Sequence, residues 1–111
     1  MNIVLVKWMI KKEREQDFLR HWRRSINSKN KLFREFLSKV EEDKVNTWPF
    51  PTAKYSVYIN VGIWESAKAF KEVIDVKGKK EPFEARRRQC VLMKSVVVDR
   101  RGQFRLPPSM L

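Results

Sequence analysis

The sequence predicts a small α+β domain in which helices cover one face of an antiparallel β-sheet. The first observation is size, because 111 residues can bury one hydrophobic core and not two, which excludes large Rossmann and barrel-enzyme folds. The second is composition, because 42% apolar residues are enough to fold the chain despite a formal net charge of +12. The third is the predicted element order, β-α-β-β-α-(short α)-β, which is the split βαβ pattern of a ferredoxin-like sheet.

The first elements are a strand and an amphipathic helix. Residues 3–10 are β-branched and almost continuously apolar, which predicts a strand covered on both faces. The period then changes, and Phe18, Trp22 and Ile26 recur every four residues. This spacing predicts a helix that ends near residues 28–30.

The middle of the chain combines an ambiguous segment with a long loop. Residues 32–40 fit both helix and strand spacing, and we favour a strand. Residues 41–54 contain a Trp-Pro-Phe-Pro run that begins at Trp48, and its prolines disfavour both a helix and a central strand. A loop this long in a small domain usually has a function or forms a contact surface.

Residues 55–64 give the clearest strand signal. The odd positions, from Val57 to Ile63, are all aliphatic, whereas the even positions are polar or aromatic and include Asn60 and Trp64. The strand therefore presents one aliphatic face and one mixed face.

The last elements follow a second helix. Ser66 offers its N-cap, and the helix is predicted to end at residues 76–78. Pro82 predicts a short helix through the arginine run at residues 86–88. Residues 90–98 then form a final strand. We assign the domain to residues 1–102 and an extended tail to residues 103–111.

Composition also limits cofactors and location. Cys90 and His21 are the single cysteine and histidine, so neither an intrachain disulfide framework nor a tetrahedral zinc site within one chain is expected. We expect no metal and no cofactor. The apolar N-terminus has no preceding basic residues and is shorter than the ~20 residues of a bilayer span. We therefore expect a cytoplasmic protein with a reduced thiol and no membrane partner.

The outer face of the predicted sheet indicates a homodimer. This face is aliphatic on the third strand and in part on the fourth, and no helix covers it. Burial of apolar surface stabilises by ~25 cal/mol per Å², so such a face is unfavourable in water. Two copies packed face to face with two-fold symmetry would cover both faces.

Two segments resemble the antibiotic-biosynthesis-monooxygenase-like family of dimeric α/β barrels. One is the Ile-Trp-Glu-Ser-Ala-Lys-Ala-Phe junction from Ile63 to Phe70, and the other runs from Pro82 to Val98. The first strand and helix match more loosely, and the resemblance covers roughly residues 2–100. It implies a barrel formed by the two sheets of a dimer, with a cavity in each subunit between the sheet and its helices.

The resemblance also implies an activity. Some members oxidise polycyclic phenols to quinones with O₂ and without metal or flavin, and use an Asn four residues before a Trp on this strand. Asn60 and Trp64 have this spacing. It implies a cofactor-independent monooxygenase of an aromatic phenol or quinol, in which Asn60 holds an oxyanion and Trp64 stacks on the substrate. Arg86 is the candidate countercharge for the phenolate.

The remaining site residues have two interpretations each. Tyr58, Trp22 and Phe70 are candidate substrate contacts, although the helix stripe that includes Trp22 is also typical of a core. Asn60 is explained equally by a structural hydrogen bond, and Trp64 by a core position. His21 is expected at the surface or half-buried, so no histidine is expected near the cavity to act as a base. Cys90 is expected to be a small buried hydrophobic residue.

Three alternative functions follow from the same residues. A non-catalytic dimeric module for small-molecule binding or stress keeps the fold without the chemistry. Haem degradation is disfavoured, because that branch places a haem-ligating His in the helix where this chain has residues 70–74. RNA binding is disfavoured because no central strand carries a Lys/Arg-Gly-Phe/Tyr motif. We expect only salt-sensitive, nonspecific adsorption to nucleic acid.

Overall fold

One antiparallel sheet organises residues 1–25, 31–74 and 78–94, the part of the chain that this computed structural model describes. The strand order is β2-β3-β1-β4, and two helices accompany it. The elements are β1 (Asn2–Lys11), a 3₁₀ turn (Lys12–Arg14), α1 (Glu15–Arg24), β2 (Leu32–Lys39), β3 (Tyr55–Trp64), α2 (Ala67–Val73) and β4 (Glu84–Lys94). The predicted α+β class is confirmed.

The centre of the sheet is the β1–β3 pair, which is in register over the full length of both strands. Residues opposite each other on antiparallel strands point to the same side. Val6 and Asn60 therefore share the face toward the helices, which we call the inner face. Leu5 and Val61 share the opposite, outer face. The predicted alternation of β3 is confirmed.

The inner face carries the core. Phe70 of α2 packs near one end of the central strands, and Phe18 of α1 packs near the other end. Each helix thus buries its apolar stripe on the same side of the sheet. The first buried cluster is Val4, Val6, Trp64, Ala69 and Phe70, and the second is Ile10, Phe18, Tyr58 and Phe83.

One helix, α2, ends earlier than the sequence predicts. Ser66 caps α2 as predicted, because its hydroxyl accepts a backbone N–H from the first turn at 3.0 Å. The helix ends at Val73 and not at residues 76–78, since the next residue is already extended. α1 ends at Arg24, and its predicted end at residues 28–30 lies outside the described residues.

The short helix predicted after Pro82 is wrong. Pro82 lies in a turn, which the Glu84 N–H closes by donating to the Glu81 carbonyl at 2.9 Å. β4 begins at Glu84 and includes the arginine run. Pairing with the long central strand β1 provides hydrogen-bond partners for this segment, and tertiary pairing of this kind overrides the helix propensity of arginine.

The outer face is covered by the chain at one end only. The predicted loop between β2 and β3 is confirmed, and its residues Val40 and Thr52 lie beside Val57, which is 1% exposed. Farther along this face Leu5 is half-buried and Val91 is 56% exposed. The prediction that β1 is covered on both faces is therefore met within one chain only at one end of its outer face.

The remaining expectations concern the strand over residues 32–40 and the C-terminal region. The first is confirmed as β2. The predicted strand end at residues 95–98, the domain boundary at 102 and the tail over residues 103–111 lie outside the described residues. Within the described ranges, neither helix has the length and apolar character needed to cross a membrane.

Candidate functional site

A pocket of about 270 Å³ lies between the inner face of the sheet and the helices. Strands β1 and β3 supply its floor, and β2, β4 and the helical segments supply its walls. Its lining mixes aromatic, aliphatic and polar side chains. The aromatic and polar residues are Trp8, His21, Trp22, Ser25, Glu35, Asn60, Trp64, Phe70 and Arg88.

Asn60 is held in the floor by a bond from α1. Its side-chain oxygen accepts a hydrogen bond from the Trp22 indole Nε1 at 2.8 Å, and the residue is 6% exposed. An indole N–H only donates, so the amide oxygen faces Trp22. The amide nitrogen of Asn60 has no acceptor among the described residues. The amide is thus oriented, with its donor group left for another partner.

Trp64 forms a flat, rigid wall because Gly62 leaves room for it. A Cβ atom added at Gly62 would lie 2.7 Å from the Trp64 Nε1 atom, so the indole occupies the space of a missing side chain. Trp64 is 2% exposed and meets the Phe70 ring edge-on, with centroids 5.4 Å apart. Its Nε1 group donates to no acceptor in the described part of the chain.

On another wall of the pocket, the Arg88 cation lies between the Trp8 ring and the Glu84 carboxylate. The Arg88 guanidinium lies 5.2 Å from the Trp8 ring centroid and donates to the Glu84 carboxylate at 2.7 and 3.0 Å. Burial opposes the ionisation of Glu84, but the hydrogen bonds from Arg88 and from the Glu81 backbone overcome this and lower its pKa. The Trp8 Nε1 atom is sealed from solvent and has no described partner, so Trp8 contributes through its ring face.

Four of the six predicted site residues come together in this pocket. Asn60, Trp64, Trp22 and Phe70 all line it, as the positions on the inner face of β3 and on the helix stripes predict. The structural interpretation of Asn60 is confirmed by the hydrogen bond from Trp22, and its role toward a ligand stays a prediction.

Tyr58 lies outside the pocket, although it shares the inner face. It packs in the second cluster, with its ring 5.0 Å from Phe18. Burial raises the pKa of Tyr58 to about 12, and the charge of Glu15 and a hydrogen bond to it act in the same direction. The Glu15 carboxylate also accepts from Lys39 at 2.7 Å.

Arg86 is not brought to the pocket. It lies opposite Met9 on the outer face, and it is exposed. The register between β1 and β4 shifts twice, so β4 carries extra residues here, as in β-bulges. The first shift places Arg86 and Arg88 on opposite faces although they are two residues apart. The guanidinium at the pocket is therefore that of Arg88.

His21 was missed by reasoning from the sequence. It lines the pocket wall, with its ring 5.1 Å from that of Phe83, so the expectation that no histidine lies near the cavity is wrong. His21 lies next to Trp22 on α1 and one helical turn before Ser25, and all three residues line the pocket. This position on the helix was a usable signal. Arg88 had a weaker signal, its spacing from Cys90 and Leu92 on the inner side of β4.

In the residues that the structure describes, no group of His, Cys, Asp and Glu is arranged to hold a metal ion. The flat apolar walls suit an aromatic ring, and the Asn60 and Trp64 N–H groups suit an electronegative oxygen on it. Comparison with known protein families finds no family that matches this chain, and no curated protein matches it.

Proposed function

We propose that this protein is a cofactor-independent monooxygenase that oxidises a small aromatic phenol or quinol with O₂. The observation that carries the proposal is the 2.8 Å hydrogen bond from Trp22 to Asn60, which orients a buried amide beside the Trp64 indole in an aromatic pocket. An amide fixed in this way donates to a phenolate oxygen without reorganising during the reaction.

The size of the pocket narrows the substrate. Its volume of about 270 Å³ lies just below the ~300–1,000 Å³ of pockets that hold drug-sized ligands. A mono- or bicyclic phenol fits this volume better than the larger polycycles that the family resemblance implies. Trp64 and Phe70 both line the pocket and provide apolar contacts for such a ring.

The reaction needs one proton acceptor and O₂ as the oxidant. His21 lies on the wall and is exposed, and imidazole is the side chain best suited to take a phenolic proton near neutral pH. The electron-rich phenolate carbon adds O₂, and the resulting hydroperoxide loses water to give the quinone. One O₂ is consumed, with one oxygen atom retained in the quinone and the other released as water.

Oxygen uptake with naphthols and hydroquinones tests the activity. Asn60→Ala removes an oxyanion donor, and we expect the turnover rate to fall about 10²–10³-fold. Trp22→Phe keeps the amide but removes its orienting donor, so a smaller loss is expected. Asn46→Ala, in the exposed loop, is the matched control and should leave uptake unchanged. Equal rates in wild type and Asn60→Ala would exclude the role of Asn60.

A second candidate is a non-catalytic binding module. Trp64 and Phe70 are each 2% exposed, so much of the space between sheet and helices is already filled by their rings. This candidate predicts that naphthols quench tryptophan fluorescence on binding but are recovered unchanged under O₂. Quinone formation that requires both enzyme and O₂ would exclude it.

Both candidates include a homodimer that closes an α/β barrel. The support is the outer face, where Leu5 and Val61 are half-buried and Val91 is 56% exposed in the single chain. An apolar strip on an otherwise highly charged protein marks a contact surface. Light scattering of the wild-type protein tests this directly, and a monomer at every concentration up to about 1 mM, which corresponds to only about −4 kcal/mol of binding, would exclude it.

A further inference from the structure

We propose that Arg86 is an interface residue, which pairs with the acidic segment 41–43 of a second copy across a two-fold axis parallel to the strands. The inference rests on the homodimer proposed above and adds its arrangement. Three features support it: the apolar rows of the outer face, the charges at two of its corners, and the two-fold symmetry of a dimer.

An apolar row crosses the whole outer face. The strand registers place four apolar residues side by side, one on each strand. A second row beside it is apolar on three strands and ends in Arg34 on β2. The first row is Val91, Leu5, Val61 and Phe36, and the second is Met93, Ile3, Ile63 and Arg34.

The area of the outer face limits the size of the contact. Four strands spaced ~4.8 Å apart and a central strand of 10 residues rising ~3.3 Å each give roughly 600 Å² for the whole face, and the loop between β2 and β3 already covers one end of it. The sheets of two copies therefore bury at most roughly 1,200 Å² in total, which is the lower end of the ~1,200–2,000 Å² found in stable interfaces. At this size, charges at the margins decide which arrangement forms.

Two corners at one end of the outer face carry opposite charge. Glu41 and Asp43 follow β2, and they border the depression over Ile59 on the outer face. They are exposed, and no described residue forms an ion pair with either. Arg86 lies at the same end of the strands on the other edge of the sheet, and it is exposed with no described ion pair.

Symmetry brings these corners together. A two-fold axis parallel to the strands keeps the strand ends and exchanges the two edges, so the acidic corner of each copy meets Arg86 of the other. In such an isologous interface the contact occurs twice. The apolar row also meets its own reversed copy, so aliphatic side chains face aliphatic side chains along the row.

The other in-plane axis, across the strands, is less favourable. About the centre of the face it exchanges the strand ends, so the row that contains Lys7 would lie on the row that contains Leu5 and Val61. The row of Lys7 also contains Gln89 and Ser38, so three polar side chains would lie against the apolar row, whereas the axis parallel to the strands lays that row on its own copy. The axis across the strands would bring the acidic corner toward Arg34 instead of Arg86. The two arginines therefore distinguish the two arrangements.

Charge reversal tests the arrangement through sedimentation equilibrium. We expect Arg86→Glu to weaken the dimer about tenfold or more, because it places like charges together at two symmetric contacts. The double variant Glu41→Lys/Asp43→Lys should weaken it similarly. Arg34→Glu makes the same change at the opposite end of the face and should weaken the dimer much less than Arg86→Glu, because the proposed axis brings no described acidic residue of the partner to it.

Mixing the two weakened variants gives the decisive measurement. In the mixed dimer the carboxylate introduced at position 86 of one variant meets the lysines introduced in the other, and the native Arg86 meets the native acids. We therefore expect the affinity to return close to that of wild type. A wild-type protein that never dimerises would overturn the homodimer itself. A stable wild-type dimer that is insensitive to Arg86→Glu, or broken by Arg34→Glu, would overturn only this arrangement.

Discussion

The two faces of the sheet are built from alternating residues of the same strands, yet only the inner face is completed within one chain. On the inner face Trp64 and Phe70 are each 2% exposed, and the helices cover them. On the outer face Val91 is 56% exposed, and a loop covers only one end. The same pleat therefore gives one covered surface that contains a pocket and one surface that the described chain leaves partly exposed.

The charged residues of β4 show the same difference. Arg88, on the inner side, donates to a carboxylate that is fully buried, and its side chain is 10% exposed. Arg86, on the outer side, is exposed at the edge of the sheet. On β4 the inner arginine is thus neutralised by a neighbouring carboxylate, while the outer arginine is exposed and has no described ion pair.

The largest effect is expected from breaking the buried ion pair. Glu84→Ala leaves the buried Arg88 cation without its carboxylate, and we expect the free energy of unfolding to fall by about 3–5 kcal/mol. Urea unfolding measures this. Glu84→Gln keeps the shape and serves as the variant that folds if alanine does not, and its loss should be smaller.

A surface pair and a pH series are the controls for this prediction. Glu42→Ala removes the exposed pair with Lys12 and should cost no more than ~1 kcal/mol. The pKa of Glu84 is lowered in the folded state, so its stabilisation is present above the usual value of ~4.3 and is lost as the pH falls through the lowered pKa. Equal losses for Glu84→Ala and Glu42→Ala would contradict the contrast between the two faces.

The sequence predicts the faces better than the ends of the elements. The alternation from Val57 to Ile63 is visible because strand periodicity is a local property, and it correctly separates the inner and outer faces of β3. The start of β4 depends on pairing with β1, which is distant in the sequence, and α2 ends where the backbone of Ile74 becomes extended. No local pattern around residues 81–88 encodes pairing with β1, so arginine and Pro82 suggested a helix.

The site was predictable only as far as regular periodicity extends. Asn60, Trp64 and Trp22 lie where strand and helix spacing place them. Arg86 and Arg88 exchange roles because the register shift in β4 reverses the expected face, and bulges have no reliable sequence signal. His21 lies just off the apolar stripe of α1. At such a position, a small rotation of the helix determines whether the side chain faces the pocket or the solvent.

An intermediate effect is expected at Gly62 on the inner face. The Cβ atom of Gly62→Ala would lie 2.7 Å from the Trp64 Nε1 atom, and the indole is too well packed to move freely. We expect a loss of about 1–3 kcal/mol in unfolding free energy, as for other overpacked cores. Near-ultraviolet circular dichroism should report the displaced indole.

The exposed outer edge provides the comparison for Gly62. Ser38→Ala, on β2 opposite Ile59, should change the unfolding free energy by no more than ~0.5 kcal/mol. If Gly62→Ala were as neutral as Ser38→Ala, the Trp64 wall would be mobile, and the flat stacking surface required by the proposed function would be lost.

The smallest effect at neutral pH, and the most specific one, is expected at Tyr58. Its pKa is raised to about 12 by burial and by Glu15, whereas an unfolded tyrosine titrates near ~10. Between these values only the unfolded chain releases the proton, so wild-type stability should fall as the pH rises from about 10 to about 12.

Tyr58→Phe should cost about 0.5–1.5 kcal/mol at neutral pH through its lost hydrogen bond, and then lose less stability than wild type over the alkaline range. Urea unfolding across the pH series measures both, with the exposed Ser38→Ala as the control that retains the wild-type alkaline loss. Parallel curves for wild type and Tyr58→Phe would mean that the second cluster opens to solvent, and the inner face would then be closed only around the pocket.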